Sequence, residues 1–465
     1  MTRYFGTDGI RGVANADLDC ELAFAFGRTV VEKLGTCFVV GRDTRRSGHM
    51  LEAALVAGIT SAGGDALIAG IVPTPAVAWL VRTLGASGGI VISASHNAPE
   101  YNGLKLFDAE GFKPGAELLE AVEARLTDLL DPQAAQDKPH GAPLTGASLG
   151  RAFSIADAAV RYSDYAVSTI TGRVSDLEGI TVALDCCHGA AAVTTPQAIT
   201  SLKGRVVSIN ADFNGDDINV ACGSTNLEPL ANLVVKSKAS LGIAHDGDAD
   251  RVIAVDETGA VVDGDVIEAI IARDLKERGI LAGNTVVTTV MANLGFAQAM
   301  EQLGIEVVET DVGDAHVLAA MRTGGFVLGG EQSGHIIYLE HNTTGDGLVV
   351  ALQLLAIMKE SGRSLSELAK VMTARPQKSV SVRRHGDLDA AETARIKDAP
   401  ELARLTAEAQ AELEAHGGGK VLLRPSGTEP LIRVTVWADT EDLANQLAQR
   451  LAQEVARLFG EGNHG

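Results

Sequence analysis

The stretch GGIVISASHN (residues 88–97) places a short apolar run directly before an abrupt polar loop. Two later segments, LGIAHDGD (241–248) and GGFVLGGEQSGH (324–335), repeat this order of glycine, apolar run and polar loop. Recurrence of one pattern along a chain indicates structural repeats. We therefore predict three similar α/β units, each with one loop at the carboxyl end of a strand, where open α/β sheets bind their ligands.

Val- and Ile-rich runs alternate with helical patterns around these segments. CFVVGRD (37–43) predicts a buried strand that ends in a polar loop, and residues 47–63 predict a helix with Ser47 as its N-cap. Such alternation is typical of mostly parallel sheets covered by helices. The predicted fold class is therefore α/β, with three similar mixed α/β domains.

The chain changes character from about residue 370. A basic extended segment is followed by a long helical pattern at residues 389–415 and a strand–loop–strand pattern at 417–439. We predict a smaller α+β C-terminal domain here. With the polar segment 136–150 as the first linker, the expected domains are I (1–150), II (151–253), III (254–368) and IV (369–465).

Composition excludes several classes of function. The net charge of −21 over 465 residues argues against a nucleic-acid groove or an anionic membrane surface. No apolar run approaches the ~18 residues that a membrane span needs, and the N-terminal stretch lacks the apolar centre of a secretory signal. We therefore expect a cytoplasmic protein. The five cysteines lack zinc-site spacing, which favours reduced thiols in the core.

The segment LGIAHDGDADRVIAVD (241–256) places Asp246, Asp248 and Asp250 at alternate positions, directly before Arg251. Oxygen ligands in a short loop suit a hard divalent cation such as Mg²⁺ or Ca²⁺. An EF-hand is disfavoured because its sixth loop position requires glycine, which is Arg251 here, and because strand-like segments flank the loop. A solvated acidic turn is the simpler alternative. The adjacent arginine favours a metal site that is shared with a phosphate group.

The polar loop after residues 88–92 carries Ser93, Ser95, His96 and Asn97, and Lys105 follows a few residues later. A serine at a strand end, followed by His and Asn, suits a covalent intermediate or phosphate binding. Ordinary turn and capping chemistry is an equal alternative. There is no G-x-S-x-G motif, so acyl transfer is disfavoured.

Two further loops offer groups that bind sugar phosphates. RPSGTEPLIR (424–433) places hydroxyls and backbone N–H groups between Arg424 and Arg433, which suits a phosphate dianion. A turn stabilised by Ser and Thr would show the same pattern. GGEQSGH (329–335) offers Glu331 and Ser333 between glycines, which suits sugar hydroxyls or an amine.

Together these loops resemble the α-D-phosphohexomutase superfamily, and within it the branch that acts on glucosamine phosphates. The motifs that carry the resemblance extend from residue 5 to residue 434. In chain order they are FGTDGIRG (5–12), GRDTRRSG (41–48), PTPAVAWL (73–80), SASHN (93–97), DGDADR (246–251), VDGD (262–265), GGEQSGH (329–335), TTGDGL (343–348) and RPSGTEPLIRV (424–434).

This resemblance implies four domains around a central cleft, and a role for each matching residue. Ser95 would be the phosphoserine, and the metal site for Mg²⁺ would comprise Asp246, Asp248, Asp250 and a phosphate oxygen on Ser95. The residues expected to line the reaction centre are Arg11, Lys105, His96 and Arg251. Those expected to bind the sugar are Glu331 and Ser333, and those expected to bind its non-reacting phosphate are Arg424, Ser426, Gly427, Thr428 and Arg433.

The implied activity is that of an isomerase that interconverts glucosamine 6-phosphate and glucosamine 1-phosphate through a phosphoserine and a 1,6-bisphosphate. It would supply UDP-N-acetylglucosamine and peptidoglycan synthesis. The 1,6-bisphosphate would also be an activator, and either it or an unidentified kinase would prime Ser95. One alternative is a mutase of glucose or mannose phosphates, and another is a metal-dependent phosphatase with an aspartyl nucleophile. The expected partner is a small sugar phosphate, with no nucleic acid or membrane, and a homodimer is left open.

Overall fold

The computed structural model describes residues 4–6, 8–131, 144–384, 390–426 and 430–460. These residues form two compact units. The larger comprises Thr2–Met291 with Leu303–Val371, and the smaller comprises Ala292–Gln302 with Met372–Gly465. No helix in the described part of the chain combines the length and the apolar character needed to span a bilayer.

The first sheet of the larger unit is built from β1 (Phe5–Gly6), β2 (Gly9–Val13), β3 (Cys37–Arg42), β4 (Asp65–Ile71), β5 (Gly88–Ile92), β6 (Tyr101–Phe107) and β7 (Ala152–Ser154). Their order is β1-β2-β6-β5-β3-β4-β7. Strands β5, β3, β4 and β7 are parallel, and β6, β2 and β1 extend the sheet in antiparallel pairs. The helices of this region are α1 (Cys20–Leu34), α2 (Gly48–Ser61), α3 (Thr74–Leu84) and α4 (Ala116–Leu130).

The second sheet comprises β8 (Thr181–Asp185), β9 (Arg205–Ile209), β10 (Leu241–His245), β11 (Val252–Asp256) and β12 (Val261–Val262). Its order is β12-β11-β10-β8-β9, with parallel pairs among β10, β8 and β9 and antiparallel pairs at β11. The helices of this region are α5 (Ala158–Ser168), α6 (Thr195–Ser201) and α7 (Glu228–Ser237).

The third sheet comprises β13 (Thr285–Thr289), β14 (Glu306–Thr310), β15 (Leu328–Gly330) and β16 (Ile336–Tyr338), in the order β14-β13-β15-β16. Strands β14, β13 and β15 are parallel, and β16 is antiparallel to β15. The helices of this region are α8 (Gly264–Glu277), α10 (Asp314–Gly324), α11 (Gly347–Ser361) and α12 (Leu365–Ala369).

The three sheets share one local arrangement. In each, a strand of the parallel set leads through a polar loop into an antiparallel neighbour: β5 into β6, β10 into β11, and β15 into β16. These connections carry the three polar loops of the repeated segments. The prediction of three similar mixed α/β units is therefore confirmed.

The hydrophobic core of the first sheet region depends on a close approach of helices α1 and α2. A Cβ atom at Gly27 would lie 2.4 Å from the Leu55 carbonyl oxygen, and one at Gly58 would lie 2.1 Å from the Phe24 carbonyl oxygen. Only glycine leaves room for this contact. Buried apolar residues then surround it, among them Phe26, Phe38, Leu51 and Ile90.

The smaller unit contains most of α9 (Leu294–Leu303), and then β17 (Gln377–Arg383), α13 (Ala390–Lys397), α14 (Pro400–Ala415), β18 (Gly419–Pro425), β19 (Leu431–Ala438) and α15 (Glu441–Phe459). Its strands form an antiparallel sheet in the order β17-β19-β18. Alternate residues of the strands, such as Val421, Val434 and Val436, form one core with Leu413 of α14 and Leu447 of α15. The smaller α+β C-terminal domain is thus confirmed.

Several local predictions are wrong in detail. Ser47 occupies the N-cap position of α2 as predicted, but its side chain makes no capping bond; its Oγ accepts a hydrogen bond from Asn102 Nδ2 at 2.9 Å. The helical pattern 389–415 is two helices, because Pro400 begins α14 after a break. Cys20 is exposed rather than in the core, although all five cysteines are free thiols as expected. Part of the predicted linker, residues 136–143, lies outside the described residues.

Candidate active site

The loop between β5 and β6 places Ser95 at the centre of a buried polar cluster. Ser95 is 1% exposed, and its φ of 52° is in the left-handed region that residues with a Cβ rarely adopt. Its Oγ donates a hydrogen bond to Asp246 Oδ2 at 2.7 Å, and it lies 3.3 Å from His96 Nδ1. The predicted nucleophile and the predicted metal loop therefore meet directly.

The neighbouring imidazole of His96 is held neutral. Burial, together with the nearby Arg251 and Arg11 guanidinium groups, lowers its pKa to about 4. Near pH 7 the ring is therefore neutral, and one of its nitrogens can accept a hydrogen bond.

The Asp246–Asp248–Asp250 triplet lies in the tight connection between β10 and β11. All three carboxylates are buried, and one oxygen from each lies within 4.8 Å of the other two. Burial raises the pKa of Asp246, and repulsion from Asp250 and Asp248 raises it further. A cluster of buried carboxylates is costly unless cations compensate the charge.

Lys105, on β6, supplies part of that compensation. Its Nζ donates to Asp248 Oδ2 at 2.7 Å and to Asp250 Oδ2 at 3.1 Å, and it lies 3.1 Å from Asp8 Oδ2. Burial opposes the charge on Lys105, but the three carboxylates outweigh it and raise its pKa well above the usual value. Burial likewise opposes ionisation of Asp250, and Lys105 reverses the effect and holds its pKa well below the ordinary value.

Two arginines complete the surroundings of Ser95. Arg11, on β2, donates to Asn97 Oδ1 at 2.8 Å and pairs with Asp8. Arg251 follows the triplet, and its backbone N–H donates to Asp246 Oδ1 at 3.3 Å. The Nε atoms of both arginines are buried and have no hydrogen-bond partner among the described residues. Both guanidinium groups therefore add positive charge beside the Ser95 loop, where they help to lower the pKa of His96.

The loop between β15 and β16 reaches the triplet through His335, whose Nδ1 lies 3.6 Å from Asp250 Oδ1, and its backbone contacts the strand that follows the triplet. Gly334 O accepts a hydrogen bond from Val252 N at 3.0 Å, directly after the aspartate loop. Glu331 Oε1 accepts from Gly313 N at 3.1 Å, and Ser333 Oγ lies 3.4 Å from Glu331 Oε2. Ser333 is exposed and Glu331 is half-buried. The predicted sugar loop thus borders the metal loop.

A series of ion pairs that begins at Lys105 was not predicted from the sequence. Lys113 pairs with both Asp8 and Asp314, and Asp8 pairs in turn with Lys105. These ion pairs link Lys105, on β6 of the first sheet, to Asp314, the first residue of α10. Asp8 lies in the FGTDGIRG motif, which was the only available signal, whereas nothing in the pattern singled out Lys113 or Asp314.

The predicted phosphate loop lies in the smaller unit. Arg424 of β18 and Arg433 of β19 are direct register partners across the hairpin, and Ser426 follows β18 with its backbone N–H bonded to Leu431 O at 2.8 Å. Gly427 and Thr428 lie outside the described residues. The hairpin therefore brings the two arginines of the predicted phosphate loop to neighbouring positions.

Comparisons with known proteins match this architecture over the whole chain. The phosphoglucomutase/phosphomannomutase family matches as alpha/beta/alpha domain I over residues 2–131, domain II over 161–259 and domain III over 263–375, and as the C-terminal domain over 368–454. Phosphoglucosamine mutase of Saccharopolyspora erythraea is 49% identical over 465 residues, with 98% of this chain and 100% of the relative covered. The chain belongs to the phosphoglucosamine mutases. It is thus an isomerase of the phosphohexomutase superfamily.

Other phosphoglucosamine mutases show similar agreement. That of Streptomyces avermitilis is 48% identical, and that of Shouchella clausii is 46% identical, each with 99% of this chain and 100% of the relative covered. Among solved structures, a putative phosphomannomutase from Thermus thermophilus has the same fold, with a TM-score of 0.76, 24% identity and coverage of 98% and 100% of the two chains. N-acetylphosphoglucosamine mutase of Aspergillus fumigatus, solved with GlcNAc-6P and magnesium, matches with a TM-score of 0.67, 21% identity and coverage of 98% and 96%.

The triplet of this phosphoglucosamine mutase family member suits a divalent cation. Asp248 Oδ1 is buried and has no hydrogen-bond partner among the described residues, whereas Asp250 Oδ1 lies 3.6 Å from His335 Nδ1 and 3.9 Å from Arg251 Nε. Hard carboxylate oxygens are the ligands that Mg²⁺ prefers. A divalent cation would also relieve the repulsion that raises the pKa of Asp246.

Proposed function

We propose that this chain interconverts glucosamine 6-phosphate and glucosamine 1-phosphate by way of a phosphoserine at Ser95. The observation that carries the proposal is the 2.7 Å hydrogen bond between Ser95 Oγ and Asp246 Oδ2. It joins a buried serine to a buried triplet of carboxylates, in a cluster that also contains Lys105 and two arginines. Phosphoryl transfer requires positioning and charge neutralisation above all, and these groups supply both.

The proposed reaction moves one phosphoryl group off Ser95 and takes another back. The P–O bond to Ser95 Oγ breaks as a bond forms to O1 of glucosamine 6-phosphate, which gives the 1,6-bisphosphate. This intermediate turns around, and its 6-phosphoryl group then passes to Ser95 Oγ and leaves glucosamine 1-phosphate. In the first transfer the hydroxyl proton of O1 replaces the phosphoryl group on Ser95 Oγ, and in the second the Oγ proton passes to O6. The groups beside Oγ are Asp246 Oδ2 and His96 Nδ1.

Within this proposal each site residue has a role that its surroundings support. Asp246, Asp248 and Asp250 would hold Mg²⁺, which when bound supplies positive charge for the phosphoryl group. Lys105, Arg11 and Arg251 would neutralise the phosphate, and Glu331 and Ser333 would bind the sugar. The non-reacting phosphate is assigned to the smaller unit and to Arg424, Ser426, Gly427, Thr428 and Arg433. The 1,6-bisphosphate or an unidentified kinase would prime Ser95, and the product would supply UDP-N-acetylglucosamine synthesis.

A combination of mass spectrometry and turnover tests the proposal. We expect one phosphate per active chain, mapped to Ser95, and faster turnover of glucosamine 6-phosphate than of glucose or mannose 6-phosphate. Ser95→Ala should abolish both the phosphate and the turnover, whereas Ser61→Ala, which removes a hydroxyl at the end of α2, should leave both unchanged.

Three results would contradict the assignment. A preference for glucose or mannose phosphates would indicate the related sugar mutases. Net release of inorganic phosphate that survives in Ser95→Ala would indicate a phosphatase with an aspartyl nucleophile. Full turnover in Ser95→Ala would refute the phosphoserine itself.

A further inference from the structure

Two side chains, those of Arg45 and Asn219, donate hydrogen bonds to the backbone of the Ser95 loop. Arg45 Nη2 donates to Ser95 O at 2.9 Å and to Asn97 O at 2.8 Å. Asn219 Nδ2 donates to the same two oxygens, at 2.9 Å and 3.0 Å. Each carbonyl therefore accepts two hydrogen bonds, which is the most that its lone pairs allow.

Arg45 comes from the GRDTRRSG motif, to which the proposed reaction assigns no role. It is fully buried, and its Nε donates to Asp43 Oδ2 at 2.9 Å. Asp43 Oδ2 also accepts from Ser93 Oγ at 2.6 Å, and Ser93 Oγ accepts from Ser95 N at 2.9 Å. Hydrogen bonds therefore connect Ser95 to the buried Asp43–Arg45 ion pair at two points. The N–H of Ser95 is connected through Ser93 Oγ, and its carbonyl oxygen is bonded to Arg45 directly.

Asn219 approaches from the second sheet region, between β9 and the 3-10 turn Gly223–Thr225. Its φ of 62° suits asparagine, and its Oδ1 accepts a hydrogen bond from Cys187 Sγ at 3.0 Å. The contact joins residues that are 124 positions apart and belong to two different α/β domains of the family. Asn219 therefore ties the serine loop to the domain that carries the aspartate triplet.

The backbone of Ser95 needs such support. A residue with a Cβ is strained at a φ of 52°, and this conformation persists only where the surroundings enforce it. The same conformation directs Ser95 Oγ at Asp246 Oδ2. A relaxed loop would move the oxygen away from the triplet, and small displacements of a reacting atom slow a reaction strongly.

We propose that Arg45 and Asn219 are positioning residues for phosphoryl transfer, which hold the strained Ser95 backbone so that Oγ faces the aspartate triplet. This inference rests on the proposed function, because it assumes that Ser95 carries the phosphoryl group. Neither residue contacts the reacting atoms, so their effect is exerted on the rate of transfer and not on the binding of the sugar phosphate.

The test uses Asn219→Gly, which removes the amide but tolerates the left-handed backbone. Asn284→Gly is the matched control, since Asn284 is exposed, has a φ of 50° and lies before β13. Each full-length variant is phosphorylated with glucose 1,6-bisphosphate, and the phosphorylated fraction is measured by intact mass. The rate of transfer to glucosamine 6-phosphate is then measured in a single turnover, per phosphorylated chain.

We expect this rate to fall about 10- to 100-fold in Asn219→Gly, with KM changed less than about threefold and the thermal midpoint close to that of the natural chain. The Asn284→Gly control should match the natural chain. Arg45→Lys, which keeps the charge toward Asp43 but loses the forked donors, should slow the same step. An unchanged rate per phosphorylated chain in Asn219→Gly, or a loss confined to KM, would overturn the inference. A natural chain that takes up no phosphate on Ser95 would instead overturn the proposed function.

Discussion

Glu268 is a fully buried carboxyl group on α8, and neither of its oxygens has a hydrogen-bond partner among the described residues. It lies beneath β15, where a Cβ atom at Gly330 would come within 2.9 Å of Glu268 Oε2. Burial raises its pKa well above the usual value, and repulsion from Asp265 raises it further. The folded chain therefore holds Glu268 protonated at pH values where the unfolded chain releases the proton.

This difference makes stability depend on pH. Below the unfolded pKa, about 4.3, both states are protonated and the burial of Glu268 costs least. As pH rises toward the higher folded pKa, the unfolded state gains from ionisation and the folded state does not, so the free energy of unfolding falls.

We predict that Glu268→Met raises the free energy of unfolding by about 1–3 kcal/mol near pH 8, with a smaller gain near pH 4.5. Thermal midpoints at the two pH values measure the effect. Glu277→Met, at the exposed end of the same helix, is the control and should show no such gain. A gain for Glu268→Met that does not depend on pH would contradict the protonated state.

At the scale of single elements, the β18–β19 hairpin places Arg424 opposite Arg433 in its register. Val421, Val434 and Val436 occupy its core face, so Arg424 and Arg433, at alternate positions, lie on the other face. We predict that Arg424→Ala weakens sugar-phosphate binding by roughly 1.5–3 kcal/mol, which corresponds to about a 10- to 150-fold rise in KM. Steady-state kinetics measure this change.

The control for this prediction is Lys420→Ala. Lys420 lies four residues earlier on the same strand and on the same face, where it borders Trp437. Its loss removes an equal charge without disturbing the arginine pair, so KM should stay within about twofold of the natural value. Equal effects in the two variants would show that general charge, rather than the arginine pair, binds the phosphate.

The TTGDGL motif has a structural role in the fold as described. Asp346 Oδ1 accepts from Val349 N at 3.0 Å and caps α11, a helix whose residues are mostly buried. The same carboxylate accepts hydrogen bonds from Tyr162 Oη at 2.5 Å and from Asn342 Nδ2 at 2.8 Å. The motif therefore ties α11 to α5.

We predict that Asp346→Ala lowers the free energy of unfolding by about 2–4 kcal/mol, because it removes a cap and leaves two buried donors without an acceptor. Tyr162→Phe removes one of those donors together with its hydrogen bond, and should cost about 1 kcal/mol. Chemical denaturation measures both variants. If both variants lost the same free energy of unfolding, the effect of Asp346→Ala would be explained by the tyrosine hydrogen bond alone and not by the helix cap.

For the molecule as a whole, Mg²⁺ should act as a stabilising ligand. A ligand that binds only the folded state at about 100 times its Kd contributes about 2.7 kcal/mol, so Mg²⁺ should raise the thermal midpoint and a chelator should reverse the shift. Asp248→Asn should lose the shift, because it removes a charge from the triplet. Asp216→Asn, an exposed acid that pairs with Arg46, should keep it. If the thermal midpoint of the natural chain did not change on addition of Mg²⁺, that result would contradict the metal site.

Much of this architecture could be predicted from the sequence because its signals are local. The repeated order of glycine, apolar run and polar loop depends on neighbours along the chain, and it located all three strand–loop–strand connections. Contacts between distant segments left no such signal. The bond from Asn219 to Ser95, and the pairs that Lys113 makes with Asp8 and Asp314, depend on how separate sheets pack. Glu268 sits in an amphipathic helix whose pattern gives no hint that this carboxyl is buried.

The ammonium group of Lys105 has a consequence for how the enzyme matures. Because it already bridges Asp248 and Asp250, a newly synthesised chain can fold with these acidic side chains partly neutralised before it acquires any ion. Both of its hydrogen bonds are to Oδ2 atoms, whereas Asp248 Oδ1 has no hydrogen-bond partner among the described residues. A divalent cation would therefore find a carboxylate oxygen of this residue open while the lysine stays in place.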